Sequence, residues 1–313
     1  MRRVVITPQV CEPVYAGTRE GFILVSATPP KATLTRDGAP RRAELADFLR
    51  NKRAALKPEE VGLPGGGRRR TPGLRREEVA QLSGIGITWY TWLEQGRDVR
   101  ASQSVLEALA DALGLTPAER SHLLLLGRGE QAAVEQAPRE EVPPTLARLI
   151  ENLGASPAYI SGRRWDYLAW NRALVVVFGD PADLPEGRRN SIWAIFNDPS
   201  RRKLFGSDWE DGARNAVARF RADSAGHIGD PDFEELIEAL KESSLEFRRW
   251  WKRHEVARSG MGRKVMRHPT AGKLVFEHAV FKLEETPERR LILYTPLPVA
   301  DTPAKMAKLL QSA

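Results

Sequence analysis

The chain has 313 residues, 42% of them hydrophobic, long enough for two domains with a core in each. Its single cysteine, Cys11, excludes an intrachain disulfide framework and any cysteine-based zinc module, and no apolar run approaches the roughly 18 residues that span a bilayer, so a cytoplasmic protein with no membrane contact is expected. The formal charge of +7 is concentrated: from Arg41 to Arg76 there are 11 Lys/Arg against 4 Asp/Glu, an excess equal to that of the entire chain, whereas from Gly129 onward the balance is 28 against 27.

Residues 1–40 mix Pro, Thr, Arg and short apolar pieces without a sustained period, and a poorly structured extension is expected there. With no further methionine before Met261, this stretch also reads as sequence upstream of an alternative start, whose removal is expected to leave the activity of the next segment intact. The first helix runs from Arg41 to Leu56, with Leu45, Phe48 and Leu49 on one stripe and Arg50, Lys52 and Arg53 outside it. Lys57 to Gly73 is rich in Pro and Gly and reads as a loop carrying Arg68, Arg69 and Arg70; no strand precedes it and the Walker spacing is missing, so it is not a nucleotide-phosphate loop.

The stretch from Leu74 to Arg97 reads LRREEVAQLSGIGITWYTWLEQGR: a helical pattern, a break at Ser83-Gly84-Ile85-Gly86, and a second helical pattern. Two short helices joined by a glycine-containing turn form a helix-turn-helix unit. Leu74, Val79, Ala80 and Leu82 supply the apolar spacing of the first helix, while Glu77 and Glu78 suit the positive end of its dipole. In the second, Tyr90 and Leu93 face inward with Ile85 of the turn, which leaves Ile87, Thr88, Thr91 and Trp92 on a face that fits a DNA major groove. Of Trp89 and Trp92, one is expected against the sugar-phosphate backbone and the other in the core. The basic zone upstream then reads as a phosphate footprint rather than a merely solvated face. Arg68 to Arg70 form either a mobile arm on the DNA backbone or minor groove, or a solvated linker.

Ser102 to Leu113 and Pro117 to Gly127 complete a five-helix, all-α domain at 41–128. An Ala/Glu/Pro-rich linker occupies 129–143, and a second domain fills 144–313. There Thr145 to Asn152, Asp208 to Arg221 and Asp232 to Arg253 are helical patterns. Tyr159-Ile160 and Trp165 to Trp170 read as short strands, and Lys273 to Leu283 with Arg290 to Leu297 as a hairpin turning at Glu284 to Glu288. This is α+β with an antiparallel sheet.

The motif Leu74, Glu77, Glu78, Val79, Ala80, Gly84, Ile85, Tyr90, Leu93, Glu94, Gly96 resembles the Xre/Cro-type repressors. The longer string RRTPGLRREEVAQLSGIGITWYTWLEQGRDVR, with WDYLAWNRAL, RRNSIWAIFNDPSRRKLFGSDWE and EFRRWWKRHEV downstream, resembles the MmyB-like regulators over about residues 41–300. The resemblance implies a lambda-repressor-like helix-turn-helix domain followed by a PAS-like domain holding a small, fatty-acid-like apolar ligand. Two residues depart from the pattern. Arg76 stands where many members carry a Gln that reaches DNA, and Gly86 stands where Ser or Thr caps the recognition helix, a replacement that costs only a few tenths of a kcal/mol.

On this reading Ile87, Thr88, Thr91 and Trp92 read bases of double-stranded DNA, and Arg68, Arg69, Arg70, Arg76, Arg97 and Arg100 hold phosphates. A homodimer is expected from operator symmetry. Trp165, Trp170, Trp193, Phe196, Phe276 and Phe281, with Phe205 and Trp209, are candidates for the ligand pocket, although aromatics at such spacing also serve as plain core. Arg164, Asn190 or Arg248 are candidate anchors for a carboxylate. No catalytic constellation appears: the histidines lack H-x-x-x-H spacing, and no C-x-x-C or G-x-S-x-G is present. The chain is therefore not expected to be an enzyme or to need a cofactor, although PAS-like cups can hold haem or flavin, with His254 or His278 as the haem-ligand candidates. The alternative reading is a sensor whose helical domain serves protein contact.

Overall fold

The computed structural model describes residues 38–64, 73–127, 142–257, 261–284 and 288–312. The extension before residue 38, Arg68 to Arg70 and most of the expected linker lie outside the described residues. The chain divides into two compact units between Glu130 and Gln131.

The first unit contains α1 (Ala39–Ala55), α2 (Arg76–Ser83), α3 (Ile87–Glu94), α4 (Gln103–Ala112) and α5 (Pro117–Gly127). Phe48, Leu49, Leu74, Val79, Tyr90, Leu93, Leu109 and Leu123 are at most 2% exposed and form its core. Leu82, placed by periodicity on the inner stripe of α2, is instead exposed. The segment after α1 is not all loop: Pro58–Val61 makes one 3-10 turn, because the Glu60 carboxylate accepts a hydrogen bond from the Lys57 amide at 2.8 Å. Gly73 brings the chain back against α1. Its φ is +71°, and a Cβ there would stand 2.4 Å from the Arg53 carbonyl oxygen, so only glycine fits. The Leu74 amide then donates to that same carbonyl at 3.0 Å. Gly84, at φ +68°, ends α2 in the left-handed conformation and turns the chain into α3.

In the second unit α6 (Pro144–Glu151) leads into β1 (Ala158–Ser161) and β2 (Tyr167–Trp170). A helical run follows: α7 (Arg172–Phe178), α8 (Ser191–Asn197), α9 (Pro199–Phe205), α10 (Trp209–Ser224), α11 (Pro231–Ser243) and α12 (Leu245–Trp251). The chain ends with β3 (Gly262–His268), β4 (Gly272–Lys282), β5 (Arg290–Pro296) and α13 (Thr302–Ser312). The five strands form one antiparallel sheet in the order β2-β1-β5-β4-β3, the PAS-like α+β layer. The expected hairpin pairs Lys282 with Arg290.

Besides α7, α8, α9 and α13, which the sequence pattern did not single out, three elements differ from the sequence expectation. The pattern from Asp232 to Arg253 is two helices, because Ser244 adopts extended angles and its hydroxyl accepts from the Phe247 amide at 3.2 Å, capping α12. Trp165 precedes the strand and sits at φ +70°, in the turn between β1 and β2. Strand β3 gave little signal, since its sequence GRKVMRH buries only Met266 at a sheet edge. Three apolar clusters result among the described residues of this unit, the smallest of them joining Ile150 of α6 to Ala158 and Ile160 of β1. Of the two larger ones, one lies on the sheet beneath α7 and α13, and the other among α8, α10, α11 and α12.

Candidate functional site

Helix α3 is divided lengthwise. Tyr90, Leu93 and Glu94 are buried, Ile87 is 48% exposed and Thr88 is exposed, while Thr91 and Trp92 are half-buried. The spacing of positions 87, 88, 91 and 92 puts them on one face of the helix. Trp89 is half-buried as well, so neither tryptophan is a fully buried core residue. Arg97 and Arg100 are exposed just beyond the helix, and the Arg97 guanidinium lies 5.9 Å from the centroid of the Trp92 ring.

The orientation of α3 is fixed by a buried acid that carried no assigned role in the sequence. Glu94 is 2% exposed. It accepts from Arg53 Nε of α1 at 2.5 Å, from Arg76 Nε of α2 at 2.5 Å and from the Tyr90 hydroxyl at 2.9 Å. Arg53 also donates to the Leu74 carbonyl at 2.8 Å. Burial alone would push the Glu94 carboxyl up, but hydrogen bonds from Arg53 and Arg76 hold it below the ordinary carboxylate range. One carboxylate thus ties three helices together at α3. This changes the reading of Arg76: its Nε is committed to Glu94, so it is first a joint between α2 and α3, with 44% of its side chain left at the surface.

The second unit contains a cavity of about 410 Å³, walled by α8, α9 and α10 on one side and the sheet on the other. Tyr159, Tyr167 and Tyr294 line it from the strands, Trp165 from the turn, and Phe178, Phe205 and Trp209 from the helices. Burial pushes all three phenols up from the usual tyrosine range, so they stay protonated donors. Arg201, Arg219, Arg263, Lys264 and Arg290 also line the cavity, against the carboxylates Asp208 and Asp211. Arg290 is matched by Asp223, which in turn accepts from the Trp165 indole at 2.9 Å. Arg201 stands 3.5 Å from Asp198 and donates to the Tyr167 hydroxyl at 3.5 Å. Arg219 and Lys264 make no hydrogen bond or ion pair among the described residues. Burial lowers the pKa of both, and in Lys264 the nearness of Arg219 lowers it further.

Of the pocket residues expected from sequence, Trp165 reaches this cavity, as do Phe205 and Trp209. The others lie elsewhere for identifiable reasons. Phe276 is 0% exposed in the core on the sheet, with Trp170 packed against that core. Trp193 and Phe196 belong to the helical core, and Phe281 is 48% exposed on β4. The three expected anchors are already used. Asn190 caps α8, accepting from the Ile192 and Trp193 amides at 3.0 and 3.1 Å while donating to the Arg164 carbonyl at 2.7 Å. Arg164 pairs with Asp166 at 3.0 Å, and Arg248 is exposed and donates to the Lys241 carbonyl at 2.8 Å. Sequence reading missed the tyrosines and the cations on α10 and β3; the only local signal was the alternation of Arg290, Ile292 and Tyr294 along β5. Of the two histidines considered, His278 lines the cavity with its ring centroid 4.7 Å from that of Tyr294, and His254 does not. No group of three or more potential metal ligands occurs among the described residues.

Residues 44–123 match the family described as helix-turn-helix domain, and residues 142–310 match the MmyB-like transcription regulator ligand binding domain. No curated protein matched the chain. The second match alone covers more than half of the sequence and coincides with the sheet and helices around the cavity. The chain belongs to the MmyB-like transcription regulators, with a DNA-binding helix-turn-helix domain ahead of a ligand-binding α+β domain.

Proposed function

We propose that the protein is a sequence-specific, Xre/Cro-type regulator that reads double-stranded DNA through the outer face of α3 and responds to a small acid with an apolar body, of which a fatty acid is the simplest form. The observation that carries the DNA reading is the division of α3: its inner face is locked by the Glu94 network while Ile87, Thr88, Thr91 and Trp92 remain outward. Thr88 and Thr91 offer hydroxyls to base edges, Ile87 offers a methyl contact to thymine, and Arg97 and Arg100 meet phosphates; Arg68 to Arg70, outside the described residues, are further phosphate-binding candidates by their charge. The ligand reading rests on the cavity, where aromatic walls surround Arg219 and Lys264, neither of which has a carboxylate in ion-pair contact among the described residues. No helix among the described residues is long and apolar enough to cross a membrane. We place the protein in the cytoplasm as a homodimer on a two-fold operator.

The test is a selection from random duplex DNA followed by gel-shift with the selected site. Thr88→Ala should cost about 1 to 3 kcal/mol on that site and leave random DNA unaffected. A domain used for protein contact would instead enrich no sequence and show no steep salt dependence.

A further inference from the structure

We propose that the cavity takes a compact aromatic acid bearing a further oxygen, with its carboxylate between Arg219 of α10 and Lys264 of β3. This rests on the sensor reading above and names the ligand class. Arg290 is matched by Asp223, and Arg201 has Asp198 and Tyr167 nearby, whereas Arg219, over the Trp165 ring at 5.1 Å, and Lys264 face one cavity with no carboxylate in ion-pair contact, Asp223 and Asp208 acting on them only from farther off. Two neighbouring cations left open in a partly desolvated site are stabilised by an anion that touches both.

The stripe of α10 on the cavity runs from Asp211 through Asn215 to Arg219, and Asp211 is exposed at the mouth while Arg219 is half-buried. At 1.5 Å per residue that stripe is roughly 12 Å long, the span of a ring with a short arm. Gly212 belongs to the same wall, and a Cβ there would meet nothing within 4 Å, so the helix withholds a side chain where the ligand body would lie.

The Tyr294 hydroxyl has no hydrogen-bond partner among the described residues, and the Tyr167 hydroxyl has only the 3.5 Å contact from Arg201. An alkyl chain filling this space would displace water from those hydroxyls and offer nothing in return, which penalises it. A ring carrying an oxygen gives them a partner and stacks among Trp165, Phe178, Phe205 and Trp209.

The experiment uses the full chain, and calorimetry compares 4-hydroxycinnamate, its neutral alcohol and decanoate. We expect saturable binding of 4-hydroxycinnamate at least tenfold tighter than either of the others. Arg219→Gln and Lys264→Gln should each weaken it at least tenfold. Tyr294→Phe should weaken 4-hydroxycinnamate while leaving cinnamate unchanged, a readout that survives if a charge variant fails to fold. Equal or tighter binding of decanoate overturns the aromatic assignment and leaves the sensor reading standing. Equal binding of the alcohol overturns the carboxylate assignment. Silence of all three overturns the inference, and the sensor reading falls with it only if native mass spectrometry also finds no small molecule carried through purification.

Discussion

Replacing Glu94 by Gln keeps the shape of the side chain and removes the charge that ties α3 to α1 and α2. Arg53, whose side chain is only 13% exposed, would then hold a buried charge without its counterion, retaining one hydrogen bond to the Leu74 carbonyl. Breaking a buried pair by removing one partner costs about 3 to 5 kcal/mol. The Leu74 carbonyl and the remaining Gln oxygen place this variant at the low end, about 3 kcal/mol, roughly a hundredfold in an equilibrium constant. Arg76 adds little, because 44% of its side chain is exposed and water replaces the lost partner. The measurement is amide hydrogen exchange of peptides covering α1 to α3 in the full chain, which reports the opening free energy of that unit. Because the folded-state pKa of Glu94 is depressed, the contribution is fully present above the ordinary carboxylate range and is lost as pH falls through the lower folded value. The wild type should therefore lose protection in α3 on acidification, with a smaller loss in Glu94→Gln. A drop below about 1 kcal/mol, with the acid sensitivity unchanged, would show that the network contributes no net stability and that apolar packing alone orients the helix.

Arg97→Ala should weaken binding to selected and random DNA alike and reduce the slope of log affinity against log salt by about 1, measured by fluorescence anisotropy. Asn190→Ala, which removes the α8 cap and leaves the Arg164 carbonyl without its donor, should lower the stability of the second unit by about 3 kcal/mol in urea denaturation. If Asn190 instead anchored a ligand, its removal would change binding and spare stability. Gly212→Leu should raise the stability of the same unit by about 0.5 to 1 kcal/mol through helix propensity, while filling the cavity and abolishing ligand binding by calorimetry. Unchanged binding would mean that the ligand sits elsewhere.

Helix α3 and the turn before it were legible because their determinants are local. Val79, Ala80, Tyr90 and Leu93 lie at helical spacing around a glycine turn, and their burial followed it, with Leu82 the exception. Glu94 was not assigned because a charged residue beside an apolar one reads as surface. Only the arrival of Arg53 and Arg76 from two other helices makes its burial tolerable. The same limit explains Ser244: a serine inside an apolar period is compatible with one long helix, and whether its hydroxyl caps a new one depends on where α12 must pack.

Along β4, Leu274, Phe276, His278 and Val280 share one face by alternation, yet Phe276 is sealed in the core while His278 and Val280 open onto the cavity. Period gives the face of a strand, and depth along it is set by which helix lies above. Reading aromatics as pocket residues therefore selected core residues such as Trp193 and Phe196. The charges were hidden for a different reason. The second domain carries nearly equal numbers of acids and bases, so counting predicts a neutral, unremarkable surface. Neutral in sum is not neutral in place: Asp223 is used by Arg290 and the Trp165 indole, and Asp230 by Arg163, which leaves Arg219 and Lys264 facing the same space. Pairing in three dimensions, rather than composition, decides where a site attracts an anion, and those two cations come from elements far apart in sequence that meet only once the sheet has closed against α10.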